Sequence, residues 1–589
     1  MKKINLYNKI ILPGCLAVVG LLSSCSAFDD FLTVYPTNQI TGEQFWEDKT
    51  DLESVLFSCY KQLTTTAMAK RLFVWGEVRS DNFLARTQDD EDMVEMMNAN
   101  YLPTNDWCDW SSIYTDIYYC NLVLSKGPEI VAKDVSFSEG DWLPIEAELK
   151  ALRALDYFYL VRAFRDVPFT LKSSDTNEGV REPSPQVSSQ YILDYIINDL
   201  ESVKDNGMTN YGTAVDNKGR ITKDAIYTIL ADAYLWRAAK NASADSVTKY
   251  PGQAAADYQK CIDCCNFVIS DKLAEFTREH ETNYYGNTDV SLTPLPILMP
   301  ETVGQLQDTP YNEMFGAKNS LESIFEIQFS STGGYNPIIP TYFGGYSSGK
   351  YSSGYLQPAS MFTEIGTQPD QSGTPFSNTD LRMYETFLFA GYNTTVTNFA
   401  KYIVTSVTTQ NPSNITATTS NVLYGGYRDK ASMDANYILY RASDVILMKA
   451  EAIACLYQEG DPELEEGFNL VKAVFDRSNP MIQSRYEINY AAYNNPENLL
   501  ALVMRERQRE FYGEGKRWFD LVRMAIRDGS TTNMLSLLGT KYSTNASSIK
   551  AKLATLNSLY NPVSEDEMKV NTALIQNPAW KVSETIVKK

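Results

Sequence analysis

Histidine is almost absent from this chain of 589 residues, which contains only His280. A serine-histidine-aspartate triad or a histidine-rich metal centre therefore has almost no histidine to draw on. The sequence also contains no phosphate-binding P-loop, no dinucleotide-binding glycine motif and no nucleophile elbow. We predict that the protein is not an enzyme and that it binds neither a cofactor nor a metal ion.

Positive charge is also in short supply. Lysine and arginine number 52 against 73 aspartate and glutamate residues, so the formal net charge is −21. Such a charge opposes binding to nucleic acid, to other polyanions and to anionic lipid surfaces. Aromatic residues, by contrast, make up 12% of the chain, and 38 residues are tyrosine. Each tyrosine side chain has a flat apolar ring and a polar hydroxyl group.

The number of cysteines argues against a disulfide framework. Nine cysteines occur, and seven remain if Cys15 is removed with a signal segment and Cys25 is lipidated. An odd number without regular spacing argues against a disulfide scaffold. Cys261, Cys264 and Cys265 share one face of a predicted helix, and no second pair follows at zinc-finger spacing. We interpret these three as packing residues rather than metal ligands.

The first residues are typical of the export signal of a lipoprotein. Basic residues precede an apolar run over residues 10–22, which is too short to span a bilayer securely. The run ends in Leu-Ser-Ser-Cys at Cys25, which resembles a bacterial lipobox. We predict that residues 1–24 are a lipoprotein signal peptide, that Cys25 carries the lipid, and that residues 25–41 form an extended tether. An ordinary cleaved signal peptide is the alternative.

The most informative stretch is residues 505–523, RERQREFYGEGKRWFDLVR. Good helix formers predict a helix that is stopped by Gly513 and Gly515, with a second helix directly after them. Arg507 and Glu510 can pair across one helical turn. So dense a mixture of charges beside aromatic residues predicts a half-buried ion network, which is usually kept for geometry.

This stretch resembles the signature E-R-x-x-E-F-x-x-E-G-x-R-W-x-D-L-x-R of the SusD/RagB family of outer-membrane nutrient-binding lipoproteins. The matching residues are Glu506, Arg507, Glu510, Phe511, Glu514, Gly515, Arg517, Trp518, Asp520, Leu521 and Arg523. Residues 110–121, 147–168, 440–452 and 560–578 resemble further segments of the family. In the second of these, Arg165 stands where glycine is usual, which costs a little at the helix cap.

Helical patterns elsewhere agree with this resemblance. Pro144 predicts the start of a helix over residues 145–164, and further helices are predicted over residues 191–203, 222–240 and 258–269. Alanines in these segments favour close helix pairs. The resemblance implies a mostly α fold, a tetratricopeptide-like helical repeat scaffold with a large loop-rich insertion and a few short strands.

Composition divides the chain after residue 271. From residue 283 to residue 427 it is rich in Gly, Ser, Thr, Asn, Pro and Tyr, although residues 323–329 alternate like a strand. We predict an N-terminal SusD-like helical region over residues 42–271, a loop-rich, ligand-facing region over residues 272–430, and a C-terminal SusD/RagB helical region over residues 431–589.

Two stretches could bind a carbohydrate, which needs aromatic faces beside polar groups on loops that a rigid scaffold holds. The family builds its glycan site from loops of these kinds. The candidate ligand-binding residues are Trp75, Asp81, Arg86, Asn100, Tyr101 and Trp107 in the first stretch, and Tyr335, Tyr342 and Tyr346 in the second. Each has a structural alternative, since tryptophan is often a core residue and Asp81 can cap a turn.

The resemblance implies a lipoprotein that is anchored in the outer membrane through Cys25 and faces the cell exterior. It would bind an oligosaccharide or polysaccharide and deliver it to a SusC-like TonB-dependent transporter. The acidic net charge favours a neutral glycan. Peptide capture of the RagB type is the first alternative. The others are a surface glycoside hydrolase that uses a carboxylate pair in the same clefts, and a structural surface protein.

Overall fold

The computed structural model describes most of the chain between residues 45 and 581. The described residues are 45–86, 90–173, 183–281, 297–298, 310–363, 374–377, 379–389, 396–409, 422–479, 487–542 and 544–581. The predicted signal peptide, Cys25 and the predicted tether lie outside them. Within the described ranges, no helix combines the length and the apolar character needed to cross a membrane.

Helices make up most of the N-terminal half. They are α1 (Lys49–Leu63), α2 (Thr66–Glu77), α3 (Glu91–Met97), α4 (Ser111–Lys133), α5 (Glu139–Phe164), α6 (Ser189–Val203), α7 (Ala214–Gly219), α8 (Lys223–Ala242), α9 (Ala244–Lys249) and α10 (Gln253–Glu281). The predicted helix over residues 258–269 is thus the middle of α10. Side-chain caps fix several starts, as where Asp48 accepts a hydrogen bond from the backbone N–H of Asp51.

The start of α5 differs from the sequence prediction, and its end agrees with the expected cost of Arg165 at the helix cap. The predicted start at residue 145 is wrong, because Ser138 and Asp141 form a capping box and Pro144 lies inside the first turns. At the other end, Arg165 has a φ of +70°. This is the left-handed region that glycine adopts at lower cost, so the departure from glycine does strain the cap.

The remaining helices follow the loop-rich region or lie within it. They are α11 (Ile338–Tyr342), α12 (Leu381–Thr386), α13 (Ala442–Leu456), α14 (Glu463–Ser478), α15 (Pro496–Glu510), α16 (Arg517–Asp528), α17 (Thr532–Leu538), α18 (Ala546–Lys552) and α19 (Glu565–Val570). The predicted stop and restart in the signature are confirmed, since α15 ends before Gly513 and α16 begins after Gly515. Both glycines have positive φ, +76° and +75°.

The strands are short and pair two by two in antiparallel fashion. The pairs are β1 (Phe83–Ala85) with β7 (Leu356–Pro358), β2 (Val167–Pro168) with β3 (Gln186–Val187), β4 (Ser323–Ile327) with β12 (Tyr437–Arg441), β5 (Gly344–Ser347) with β6 (Lys350–Ser353), β8 (Phe387–Phe389) with β9 (Val396–Phe399), and β10 (Val404–Thr409) with β11 (Val422–Tyr427). The strand predicted at residues 323–329 is confirmed as β4, in which Ile327 lies opposite Tyr437.

Helices from both halves of the chain form a stacked scaffold. Helix α4 packs against α5, α5 against α6, α8 against α10, α10 against α13, and α13 against α14. Buried small residues such as Ala231, Ala233 and Ala238 let the helices approach closely. The predicted fold, mostly α with a tetratricopeptide-like arrangement and few short strands, is confirmed.

The charged side chains of the signature form a network that is fully buried, not half-buried as predicted. Glu510 bonds Arg441, Arg477 and Arg382, with 2.9 Å between an Arg382 nitrogen and a carboxylate oxygen. Buried carboxylates are tolerated only where such partners surround them.

The partners of the signature residues come from distant segments of the chain. Arg507 bonds Asp444 at 2.8 Å and Asp520 at 2.9 Å, although the sequence suggested Glu510 one turn away. Two guanidinium nitrogens of Arg517 donate hydrogen bonds to the two carboxylate oxygens of Asp81, each at 2.8 Å. The network therefore ties the segment before β1 to the signature helices.

We expect Asp81→Asn to lower the free energy of unfolding by about 3–5 kcal/mol, because the Arg517 guanidinium group stays buried without its counter-charge. The measurement is the midpoint of thermal or urea unfolding of the purified full chain. Asp566→Asn is the matched control, since Asp566 is an exposed partner of Lys569 and should matter by less than about 1 kcal/mol. Equal shifts for the two variants would contradict a structural role for the Asp81 pair.

Acid should destabilise the folded chain through the same network. Although burial opposes ionisation, the charges of Arg477, Arg441 and Arg382 lower the pKa of Glu510 well below its usual value. The pKa of Asp444 is likewise lowered, by Lys516 and Arg507, against the effect of burial. These carboxylates take up protons near pH 4 when the chain is unfolded but stay ionised when it is folded. Their stabilisation is therefore present above about pH 4 and is lost as the pH falls further.

We accordingly expect the thermal midpoint of the full chain to drop steeply between about pH 5 and about pH 3. Scanning calorimetry across this range measures the effect. Asp566→Asn should show the same drop, because its carboxylate lies outside the network. A midpoint that is constant over the range would contradict the buried ionised state of Glu510 and Asp444.

Candidate functional site

Strand pairing brings the two predicted ligand-binding stretches together. Strand β1 directly precedes Arg86, and its partner β7 directly follows Tyr355. The backbone N–H of Arg86 donates to the carbonyl oxygen of Tyr355 at 2.6 Å. Two segments that are about 270 residues apart in the chain therefore meet at the edge of this strand pair. Two loops on a helical scaffold can form a single site only if they meet in this way.

Tyrosine rings gather next to this edge. Tyr346 and Tyr351 lie opposite each other in the β5–β6 hairpin, with ring centroids 5.5 Å apart. Tyr427, at the end of β11, places its ring centroid 4.0 Å from that of Tyr346 and is 44% exposed. We call Arg86, Tyr346, Tyr351, Tyr355 and Tyr427 the Arg86 face.

Polar groups of the Arg86 face are positioned by backbone contacts. The hydroxyl group of Tyr351 donates to the carbonyl oxygen of Phe343 at 2.6 Å. Burial, together with the neighbouring Tyr427, raises the pKa of Tyr346 to about 12, so its hydroxyl group keeps its proton at neutral pH. The Nε atom of Arg86 is buried and has no hydrogen-bond partner among the described residues.

This combination can bind a ligand without reacting with it. The exposed ring of Tyr427 and the half-buried rings beside it offer flat faces to apolar C–H groups, while a guanidinium group and hydroxyl groups offer hydrogen bonds. Lys430, whose Nζ atom donates to Ser352 Oγ at 3.1 Å, adds a second cation beside the hairpin. The chemistry of these groups is recognition of a polar ligand that has flat apolar surfaces.

Four of the predicted ligand-binding residues lie in the core instead. Trp75, Tyr101, Trp107 and Tyr342 are 2%, 1%, 9% and 0% exposed, so none presents a ring face to a ligand. The indole nitrogen of Trp75 donates to the carbonyl oxygen of Trp107 at 2.9 Å, and the Trp75 ring meets Phe164 edge-on. The physical reason is packing, since rings of this size contribute most when they are fully buried.

Asp81 is also a structural residue in this fold. It is 1% exposed, and both of its carboxylate oxygens accept hydrogen bonds from Arg517. The amide nitrogen of Gln508 donates to it as well, at 3.1 Å. Burial and the pairing with Arg517 give Asp81 a structural role, and its part in ligand binding stays a prediction.

Asn100 and Tyr335 are exposed but take no part in the Arg86 face. The side-chain carbonyl of Asn100 accepts a hydrogen bond from Lys552, in the C-terminal part of the chain. Tyr335 is 51% exposed and follows Gly334, which lines a separate cleft of about 390 Å³ between α1, α7 and β4. Ligand binding by these two residues stays a prediction.

Sequence reasoning missed Tyr427 altogether. Its signal is the segment Tyr424-Gly425-Gly426-Tyr427, which repeats the glycine-tyrosine composition of residues 344–346. Only the fold shows that the two segments belong together, because Tyr346 forms a β-bridge to Asp429, two residues after the end of β11.

Two family models match separate parts of the chain. One, described as the SusD family, matches residues 321–580. The other, described as "Starch-binding associating with outer membrane", matches residues 30–235.

Among curated proteins, SusD-like protein P38 of Formosa agariphila is 24% identical over 524 residues, which cover 86% of this chain and 89% of that protein. Among solved structures, a SusD superfamily protein from Bacteroides vulgatus has a TM-score of 0.63 at 18% identity, covering 91% of this chain and all of that one. The surface glycan-binding protein A from Bacteroides uniformis has a TM-score of 0.59 at 19% identity, covering 90% of this chain and 100% of that one.

These likenesses agree with the signature helices α15 and α16 and with the stacked helical scaffold. The two models match residues 30–235 and 321–580, so residues 236–320, which include α9 and α10, lie between the matched parts. The chain is a member of the SusD/RagB family.

Proposed function

We propose that this protein is a cell-surface lipoprotein that binds a glycan noncovalently at the Arg86 face. The observation that carries the proposal is the ring pair Tyr346 and Tyr427, whose centroids lie 4.0 Å apart. Tyr427 is exposed, and Tyr346 is half-buried in the hairpin beside it. Ring faces stack on the C–H surfaces of a sugar, and the guanidinium group bonds its hydroxyl groups. Support comes from the N-terminal family model, whose description includes starch binding, and from the structural similarity to the surface glycan-binding protein A of Bacteroides uniformis.

The proposed ligand is a neutral oligosaccharide or polysaccharide. The net charge of −21 disfavours sulfated or uronate-rich chains, because long-range repulsion opposes their approach. The proposed role is not enzymatic, since stacking and hydrogen bonding hold the sugar and no group of the Arg86 face attacks it. The Tyr346 hydroxyl group keeps its proton at neutral pH, so it is not a nucleophile. A guanidinium group is a very weak acid and does not transfer a proton to a leaving group.

The proposed destination of the glycan is a SusC-like TonB-dependent transporter in the outer membrane, on which this protein sits as a lid. The proposed anchor is the lipid on Cys25, which places the protein on the exterior face. Support comes from the lipobox-like sequence and from the association with the outer membrane in the description of the N-terminal family model.

We expect Tyr427→Ala to lower the association constant for the bound glycan about fivefold, which is the loss of about 1 kcal/mol of stacking. Arg86→Met keeps the apolar stem but removes the hydrogen-bond donors, and should weaken binding by a similar factor. Titration calorimetry of the full chain in detergent, against a panel of neutral and acidic oligosaccharides, measures both.

Tyr191→Ala is the matched control, because Tyr191 on α6 is 53% exposed and lies outside the Arg86 face. The association constant of the Tyr191→Ala variant for the glycan should equal that of the unaltered chain. Equal affinity for all variants would move the site away from the Arg86 face. Binding heat with peptides and not with glycans would mean that the ligand is a peptide. Release of reducing ends from a glycan would contradict the non-enzymatic role.

A further inference from the structure

Three helices bring two thiols and two carboxyl groups together in the core, away from the Arg86 face. Cys59 lies on α1, Asp116 and Cys120 lie one turn apart on α4, and Asp156 lies on α5. The two Sγ atoms are 3.8 Å apart, and a carboxylate oxygen of Asp116 lies within 4.8 Å of both. Cys59, Asp116 and Cys120 are 0% exposed, and Asp156 is 2% exposed.

In the described part of the chain, these carboxyl groups face each other and the Cys59 thiol, and no arginine or lysine bonds them. Among the described residues, neither oxygen of Asp116 has a hydrogen-bond partner of normal geometry, and the same holds for Oδ2 of Asp156. The guanidinium group of Arg153 on α5 bonds Asn121 and Asp199 instead. An uncompensated buried carboxylate is strongly unfavourable, so this cluster requires protons or a cation.

The chemistry of the cluster matches a particular ion. Thiolate ligands favour zinc over calcium or magnesium, which take oxygen ligands. In a tetrahedral site with Zn–S bonds of about 2.3 Å, two thiolates lie about 3.8 Å apart. The observed separation of the Cys59 and Cys120 sulfur atoms is 3.8 Å.

We propose that Cys59, Asp116 and Cys120 bind a structural zinc ion in the core between α1 and α4. Asp156 on α5 adjoins Asp116 and lies outside this group of three ligands. Binding would release the thiol protons of Cys59 and Cys120, so the two charges of the ion would balance the two thiolates, while a carboxylate oxygen of Asp116 would gain a bonding partner. The ion would fix α1 to α4, so its binding energy would be part of the folding energy. Zinc-finger spacing cannot reveal this site, because Cys59 and Cys120 are 61 residues apart.

Elemental analysis of the purified full chain tests the proposal. We expect about one zinc ion per chain, as a closed structural site holds a single ion. The variant Cys59→Ser/Cys120→Ser should contain none. The matched control Cys261→Ser/Cys265→Ser removes two other buried, neighbouring thiols and should keep the ion. Zinc that persists in the Cys59→Ser/Cys120→Ser variant would mean adventitious binding and would overturn the proposal.

Cobalt exchange keeps the test decisive if the cysteine variant does not fold. Replacing zinc by Co²⁺ in the unaltered chain should produce a thiolate-to-cobalt charge-transfer band, and Asp116→Asn, which is nearly isosteric, should weaken or abolish it. Absence of the band in the unaltered chain overturns the site. Thiol titration of the denatured, unreduced chain separates the causes: two missing thiols mean a Cys59–Cys120 disulfide, and a full count without metal means carboxyl groups that hold protons.

Discussion

Pairing between arginines and carboxylates inside the protein sets the arrangement of its parts. Glu510 and Glu514 on the signature segment are surrounded by Arg441 and by residues of the loop-rich region, Arg382 and Lys401. A buried charge without its partner is far more costly than a lost surface ion pair, so each partner must occupy its place. The loop-rich region is thereby held against the C-terminal helices by charge as well as by apolar packing.

The same network positions the candidate site. Arg517 binds Asp81, five residues before Arg86, and β1 lies between the two. Strand β1 then pairs with β7, which fixes the loop that carries the tyrosine hairpin. A loop site on a rigid base needs little ordering when a ligand arrives, and this reduces the entropic cost of binding.

Much of the fold could be predicted, and little of the site. Helices α15 and α16 follow from glycines and helix formers next to each other in sequence, and β4 follows from simple alternation. Trp75 and Tyr427 show the limit. Both are aromatic residues near glycine, yet one fills the core against Phe164 and the other is exposed beside Tyr346. Burial of a ring depends on which distant segment covers it, and local pattern carries no such information.

The sequence by itself determined the helical scaffold, the acidic character, the signature of the SusD/RagB family and the presence of an ion network, because each depends on neighbouring residues or on composition. The tertiary structure alone decided which charges pair, as Arg507 does with Asp444 rather than with Glu510 one turn away. It also decided that Asp81 is structural, that Tyr427 lies against Tyr346, and that Cys59 meets Asp116 and Cys120. These are contacts between residues far apart in the chain, which form only when the whole core closes.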